Sequence, residues 1–217
     1  MVSVDNVSKI YKTKFNEVKA LDDISLKIED GEFVVIRGSS GCGKTTLLLA
    51  IGGMLRPTDG RIIIDNSDIY DMSIRERAIF RAKNIGFVFQ MFHLVPYLSL
   101  IDNVLLPAKS GIAQSEKEYG VELVKRLHLS GRERHRPSEL SAGEKQRAAI
   151  ARALFNHPKI ILADEPTGNL DPDNAGEVIG YLSEFHRSGG TVIVVTHGTV
   201  ADQYADRIIH LKEGRLS

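Results

Sequence analysis

Short apolar runs separated by Gly, Pro and charged residues predict a chain that alternates between strands and helices. Predicted strands cover residues 2–7, 24–28, 33–36, 61–64, 85–89, 160–163, 191–195 and 207–211. Three of them are continuously apolar, which is typical of parallel strands that are covered on both faces. Predicted helices cover residues 44–55, 101–108, 115–127, 142–155 and 175–185.

The order of these elements predicts an α/β fold with a helical insertion. From about residue 99 to 155 the pattern is helical throughout, whereas strands and helices alternate on either side. No interdomain linker is apparent. We therefore expect one domain over residues 1–217, with a core at about 1–97 and 156–217 and a helical subdomain at about 98–155.

Composition and the lengths of the apolar runs argue against binding driven by net charge, a disulfide-bonded protein and a membrane-spanning chain. The 28 basic and 28 acidic residues cancel, so no global field favours nucleic acid or an anionic membrane. The single cysteine cannot form an internal disulfide, which fits a reducing compartment. The N-terminus has no secretory signal and no apolar run reaches the length of a membrane span, so we expect a cytoplasmic location.

Residues 38–45, Gly-Ser-Ser-Gly-Cys-Gly-Lys-Thr, match the phosphate-loop pattern between a predicted strand and a predicted helix. Backbone N–H groups of such a loop converge on phosphate oxygens at a helix N-terminus. Lys44 is predicted to reach the β and γ phosphates, and Thr45 to bind Mg²⁺. The predicted nucleotide contacts are Gly38, Ser39, Ser40, Gly41, Cys42, Gly43, Lys44, Thr45 and Thr46.

Two carboxylates, Asp164 and Glu165, come directly after an apolar strand. In open α/β sheets this edge binds ligands. Alone, two acids in this position are usually a solvated loop. Beside a phosphate loop, Asp164 is a candidate Mg²⁺ ligand and Glu165 a candidate base for the attacking water.

Three further positions allow both a structural and a functional interpretation. Ser141 and Glu144 form a capping box, and Gly143 exposes N–H groups at the same helix start, which could bind an anion. Gln90 and His197 each follow a strand, where polar residues are more often structural. Both would nevertheless lie at the sheet edge that carries the phosphate loop.

Taken together, these motifs resemble the nucleotide-binding domain of ABC transporters, and the resemblance covers essentially the whole chain. Its residues are Tyr11, the phosphate loop, Gln90, residues 140–146, Asp164, Glu165, Asn169, Leu170, Asp171 and His197. Residues 87–96 and 163–171 resemble the lipoprotein-release, macrolide-export and cell-division branch (the LolD, MacB and FtsE types). The implied fold is a RecA-like P-loop NTPase core with an N-terminal antiparallel β subdomain and an inserted α-helical subdomain.

The resemblance implies a Mg²⁺-dependent ATPase whose catalytic residues are Glu165, His197, Lys44 and Gln90. Tyr11 would stack on adenine, and Gln90 would sense Mg²⁺ and water. His197 would contact the γ-phosphate. The remaining implied contacts, from Ser141, Gly143 and Glu144, would complete the ATP site of a second copy in a head-to-tail dimer, and Asp171 would link the two sites.

Residues 91–98 have two open interpretations, buried packing or a docking surface. The resemblance implies docking of an integral membrane permease near Met91, Phe92, Leu94, Val95 and Tyr97, which would hold the chain on the inner face of the cell membrane. A soluble ABC ATPase acting on DNA or ribosomes is the alternative function. It is disfavoured because residues 46–140 show no sustained heptads.

Two departures from the family pattern concern the predicted site. Ala142 occupies the first of two positions that are usually glycine, so we expect a working but altered interface. Gly198 stands where an Asp often follows the histidine, which leaves open what supports His197.

Overall fold

A mostly parallel sheet of six strands forms the centre of the computed structural model, which describes residues 1–12, 16–108 and 112–217. The strands lie in the order β10-β9-β3-β8-β7-β6, and only β10 runs antiparallel to its neighbour. Their bounds are β3 Phe33–Arg37, β6 Ile85–Phe89, β7 Ile160–Asp164, β8 Thr191–Thr196, β9 Arg207–Lys212 and β10 Arg215–Leu216.

A second, antiparallel sheet has the strand order β2-β1-β4-β5. Its strands are β1 Val2–Lys12, β2 Glu17–Ile28, β4 Asp59–Ile64 and β5 Ser67–Asp68. Val2, Val4 and Val7 of β1 are buried in the core, so one face of this sheet covers it.

The α-helices of the described residues are α1 Lys44–Ile51, α2 Ile74–Asn84, α3 Leu100–Leu105, α4 Gln114–Arg126, α5 Ala142–Leu154 and α6 Pro172–Arg187. Three of them, α3 to α5, follow one another between β6 and β7. None of the helices in the described ranges is long and apolar enough to cross a bilayer.

The parallel sheet separates two hydrophobic clusters. In β3, Val34 and Ile36 pack into the cluster shared with α1 and the antiparallel sheet, whereas Phe33 and Val35 pack into the cluster shared with α3 to α6. Side chains of a strand alternate between its faces, so a strand covered on both sides must be apolar at every position. This is why the parallel strands appear in the sequence as continuous apolar runs.

The predicted α/β class is confirmed, but three predicted details are wrong or incomplete. Helix α1 ends at Ile51 rather than residue 55, because Gly52 and Gly53 follow and Gly53 has φ 68°. The region 99–155 is not helical throughout, since residues 127–141 contain only the 3₁₀ turn Pro137–Glu139. Helix α2 was not predicted because it buries only Asn84 and so shows no apolar stripe.

Candidate active site

The phosphate loop connects β3 to α1 at the carboxyl edge of the parallel sheet. Gly43, the residue before α1, has φ 110°, and a Cβ there would lie 2.3 Å from the carbonyl oxygen of Ala20 on β2. Only glycine therefore fits at this position. Ser39, Ser40 and Gly41 are exposed at the loop tip, whereas the Cys42 side chain is buried in the core. The loop thus presents its backbone to solvent while its base is fixed by β2.

Lys44 lies within this loop and is only 7% exposed. Its Nζ donates to the carbonyl oxygens of Gly38 at 2.7 Å and Ser39 at 3.1 Å, and it lies 3.6 Å from Glu165 Oε1. Gly38 lies in the loop and Glu165 follows β7, so the ammonium group bridges the loop and the acidic end of the neighbouring strand. A cation in this position can bind phosphate oxygens.

Asp164 and Thr45 meet beside this lysine. The Thr45 hydroxyl donates to Asp164 Oδ1 at 3.1 Å. Burial raises the pKa of Asp164 above its ordinary value, although the Thr45 hydrogen bond opposes the shift. Two oxygen donors at this distance are the kind of ligand that a small, hard cation prefers.

Glu165 has a left-handed backbone, with φ 44°, which is rare for a residue that is not glycine. Its N–H donates to the Val195 carbonyl at 2.8 Å. Its Oε2 accepts from the Thr196 hydroxyl at 2.9 Å and from the His197 N–H at 3.3 Å, and it lies 3.0 Å from His197 Nδ1. The end of β8 therefore fixes both the backbone and the carboxylate of Glu165.

These contacts also control the ionisation of Glu165. Burial raises its pKa, but the hydrogen bonds from His197 and Thr196 outweigh burial, and the net result is a pKa below the ordinary value. Glu165 is consequently a carboxylate at neutral pH. It can accept a proton.

Gln90 and His197 both lie at this edge of the sheet. Gln90 follows Phe89, which pairs with Asp164 across β6 and β7. The side-chain nitrogen of Gln90 lies beside Gly168, where an added Cβ would approach it to 2.8 Å. The backbone carbonyl of Gln90 accepts a hydrogen bond from the Asn169 side chain at 3.2 Å. The His197 side chain is 69% exposed, so its ring has room for a ligand.

Tyr11 lies near the end of β1, where it pairs with Val18 on β2. Its side chain is exposed, and the Lys9 ammonium lies over its ring, 5.5 Å from the centroid. Since β2 also contacts Gly43, the same hairpin carries this aromatic face and supports the phosphate loop.

Ser141, Gly143 and Glu144 form the start of α5. The Ser141 side chain accepts from the Glu144 N–H, the Glu144 carboxylate accepts from the Ser141 N–H, and Arg132 Nε donates to Glu144 at 2.9 Å. The backbone hydrogen bond from Ser141 lowers the pKa of Glu144, with a further contribution from Arg132. Within the described part of the chain, no hydrogen bond or ion pair joins this helix start to the phosphate loop.

Gly143 packs tightly against the start of α6. A Cβ on Gly143 would lie 2.1 Å from Asn174 Oδ1, and Asn174 in turn donates to Asp171, the N-cap of α6. Ser141 and Ala142 remain exposed. The helix start is therefore packed against α6 on the side of Gly143 and exposed to solvent at Ser141 and Ala142.

Sequence reasoning missed two contacts of this site. Thr196 supplies a hydroxyl to Glu165, and the only sequence signal is a polar residue at the end of an apolar strand. Gln146 of α5 is fully buried and donates to the Pro166 carbonyl at 2.7 Å, which joins α5 to the loop after Glu165. A buried amide in a helix gives no indication of its partner without the tertiary structure.

Comparison with known proteins gives consistent matches over the whole chain. The family model described as ABC transporter matches residues 21–168. The chain is 44% identical to the uncharacterized ABC transporter ATP-binding protein MJ1508 of Methanocaldococcus jannaschii, over 100% of this chain and 97% of that protein. It is also 44% identical to the macrolide export ATP-binding/permease protein MacB of Chlorobaculum tepidum, over 99% of this chain.

The fold matches solved structures equally well. The ATP-binding cassette MJ0796, solved as a dimer in a post-hydrolysis state bound to ADP and Pi, superposes with a TM-score of 0.94 at 40% identity. That match covers 100% of this chain and 97% of the solved chain. By contrast, this chain spans 33% of the length of the MacB protein.

Proposed function

The chain belongs to the ABC transporter family of ATPases, and we propose that its ATP hydrolysis drives a partner permease through ATP-dependent dimerisation. The observation that carries the proposal is the arrangement of Lys44, the Thr45–Asp164 pair and the ionised Glu165 at one edge of the sheet. The phosphate-binding cation, the candidate metal ligands and the candidate base are thus placed side by side.

ATP binds with its phosphates on the loop of residues 38–46 and its adenine on Tyr11. Lys44 exchanges its contacts with the loop carbonyls for phosphate oxygens, which remain within reach of its flexible stem. Glu165 accepts the proton of the attacking water, because it is ionised at neutral pH and its carboxylate is fixed by Thr196 and His197. His197, which is exposed and in contact with Glu165, binds the γ-phosphate.

The donor set at Thr45 and Asp164 fits Mg²⁺. A hydroxyl and a carboxylate oxygen 3.1 Å apart would together hold one Mg²⁺ ion, and Gln90 at the end of the adjacent strand would supply a further oxygen. The chemistry that the ion would supply there is positive charge beside the phosphates of ATP. Burial raises the pKa of Asp164, and a cation bound beside this carboxylate would oppose that shift.

The second half of each ATP site comes from another copy of the chain. The helix start is formed by Ser141, Gly143 and Glu144. In the described residues, no hydrogen bond or ion pair joins it to the phosphate loop of the same chain. A helix N-terminus attracts phosphate oxygens. The dimeric structures of the related cassette MJ0796 support a pair of copies, and Asp171, which accepts from Asn174 behind Gly143, would link the two sites.

Dimerisation tests this proposal. With ATP, the Glu165→Gln variant should elute from a sizing column as a dimer, because nucleotide is bound and not hydrolysed. Without nucleotide it should elute as a monomer. The Lys44→Ala variant is the matched control, and it should remain monomeric with ATP because it loses phosphate affinity. If the Glu165→Gln variant stays monomeric while it binds ATP, dimerisation does not complete the site.

Permease docking is proposed at the loop after Gln90. Met91 is 67% exposed and Tyr97 is 75% exposed, whereas Leu94 packs against the core cluster. The loop borders a cleft of about 280 Å³. Its lining is largely aromatic and apolar and includes Phe87, Phe89, His93, Pro107 and Arg152. Exposed apolar groups beside a cleft suit a helix of a membrane partner, which would hold the chain at the cytoplasmic face.

Arg152 joins this loop to the helix that starts at Ser141. Its guanidinium donates to the Phe92 carbonyl at 2.7 Å and to the His93 carbonyl at 2.5 Å. Phe92 and His93 both have positive φ, at 59° and 46°, which exposes their carbonyls to one donor. A shift of α5 on ATP-driven dimerisation therefore moves the docking loop with it.

A further inference from the structure

The residue directly after His197 has no side chain that could hold the histidine. Position 198 is glycine, and no steric contact enforces that choice, because a Cβ there would meet only the Thr196 hydroxyl at an ordinary 3.5 Å. Gly198 also does not have the positive φ that favours glycine. Apart from the contacts with Glu165, support for the backbone at His197 must therefore come from residues farther along the chain or on a neighbouring strand.

Arg37 supplies a contact from the neighbouring strand. It is the last residue of β3 and pairs with Thr196, the last residue of β8. Residues 33–36 of the strand are buried and apolar, so Arg37 introduces a charge at the sheet edge that carries the active site. This residue is not part of the phosphate loop, which begins at Gly38.

The Arg37 guanidinium binds two acceptors through one nitrogen. Nη2 donates to the Gly198 carbonyl at 2.8 Å and lies 2.7 Å from Asp202 Oδ2. That nitrogen carries two hydrogens, so each acceptor can take one. The side chains of Arg37 and Asp202 are 21% and 29% exposed, which leaves this opposite-charge pair only partly hydrated.

The contact reaches the proposed catalytic base through Gly198. The carbonyl of Gly198 is held by Arg37, and its N–H donates to the Thr196 hydroxyl at 3.0 Å. The same hydroxyl donates to Glu165 at 2.9 Å. A continuous set of hydrogen bonds therefore runs from Asp202 through Arg37, Gly198 and Thr196 to Glu165.

We propose that Arg37 and Asp202 form a clasp that holds the backbone after His197, so that both are positioning residues for ATP hydrolysis. The proposal rests on the proposed roles of Glu165 and His197. Neither clasp residue touches nucleotide. Their effect is on turnover rather than on ATP affinity, because they fix groups that act in the transition state.

The purified chain tests this with Arg37→Met, Asp202→Asn and the double variant. Each single variant should lower kcat by about ten-fold, since a small misplacement of a catalytic group has effects of this order or larger. KM and the Kd of a fluorescent ATP analogue should stay within about two-fold of the parental values. The double variant should lose no more than either single variant, because both changes open the same clasp.

Arg207→Met is the matched control. Arg207 also bridges a backbone carbonyl and a carboxylate, those of Lys27 and Glu32, but at the opposite end of β9 from the active site. It should reduce thermal stability as the clasp variants do and leave kcat unchanged. Arg37→Lys, which keeps the charge, should recover part of the lost turnover.

Two results would overturn the clasp. One is parental kcat in both Arg37→Met and Asp202→Asn. The other is an equal loss of kcat in Arg207→Met, which would make the effect one of general stability. Glu165→Gln in the same assay separates the two proposals. If it is inactive while the clasp variants are fully active, only the clasp is wrong, and if it keeps parental turnover, the assigned base is wrong.

Discussion

Replacing Thr196 with valine removes a buried hydroxyl that donates to the Glu165 carboxylate and keeps the shape of the side chain. Thr196 is 4% exposed at the end of β8, so valine occupies the same space. Glu165 loses a hydrogen bond of 2.9 Å, and the Gly198 N–H loses its acceptor at 3.0 Å. The perturbation therefore acts on one interaction network with little change in packing.

The magnitude follows from the charge on the acceptor. A hydrogen bond to a charged group contributes about 1.5–3 kcal/mol, and the extra burial of a methyl group partly offsets its loss. We expect the free energy of unfolding at pH 7 to fall by about 2 kcal/mol. For a chain of this size that corresponds to a decrease in Tm of about 6 °C.

This loss should depend on pH, with a defined sign. The hydrogen bonds from His197 and Thr196 keep the folded-state pKa of Glu165 low, so they stabilise the protein above the unfolded pKa of about 4.3. That stabilisation disappears as the pH falls through the lowered folded-state pKa. The difference between the Thr196→Val variant and the parent should be largest at neutral pH and should shrink below about pH 4.

Urea unfolding of the nucleotide-free chain between neutral pH and pH 4 measures this difference. Thr191→Val is the matched control, because Thr191 is equally buried at the other end of β8 but accepts from the uncharged Gly31 N–H. Its cost should be about 1 kcal/mol at every pH. If the two variants lose the same stability with the same flat pH dependence, the Thr196 hydroxyl does not hold an ionised Glu165.

Two further variants test the dimer and the docking surface. Gly143→Ala should weaken ATP-dependent dimerisation without lowering the ATP affinity of the monomer. The new methyl group would lie 2.1 Å from Asn174 Oδ1, so the helix start and Asn174 would have to move apart. Sedimentation with ATP in the hydrolysis-deficient background measures this, and an unchanged dimer would contradict it. Replacing Met91 and Tyr97 with serine should abolish co-purification with the permease while Tm stays parental. Val121→Ser, another exposed apolar position, should keep the permease bound.

Candidate site residues can be proposed from the sequence where their pattern is local. The phosphate loop has its residues within one segment, and Asp164 and Glu165 follow a strand that its own apolar run predicts. Since parallel strands bring their carboxyl ends to one edge, the sequence predicts that the phosphate loop and Asp164 lie at the same edge of the sheet. The shared sheet edge therefore accounts for the proximity of the phosphate loop to the two carboxylates.

The rest depends on tertiary contacts that no local pattern specifies. Glu165 takes a left-handed backbone that the sequence does not indicate, because the conformation is imposed by the Val195 carbonyl and the Thr196 hydroxyl on another strand. Arg37 appears in the sequence only as a charge at the end of a strand, and its partner Asp202 is 165 positions away. Helix α2 was missed because it lacks an apolar stripe, although Ser73 and Glu76 form a capping box that signals a helix start in the sequence.

The most direct test of the account is to measure phosphate release and ATP affinity together in the Glu165→Gln variant. The amide keeps the size of the side chain and removes the group that accepts a proton from water. Turnover should fall by at least about 100-fold, as expected for the loss of a general base, while the Kd for ATP stays within about two-fold of the parental value. Turnover at the parental rate with unchanged affinity would show that Glu165 is not the base and would contradict the mechanism.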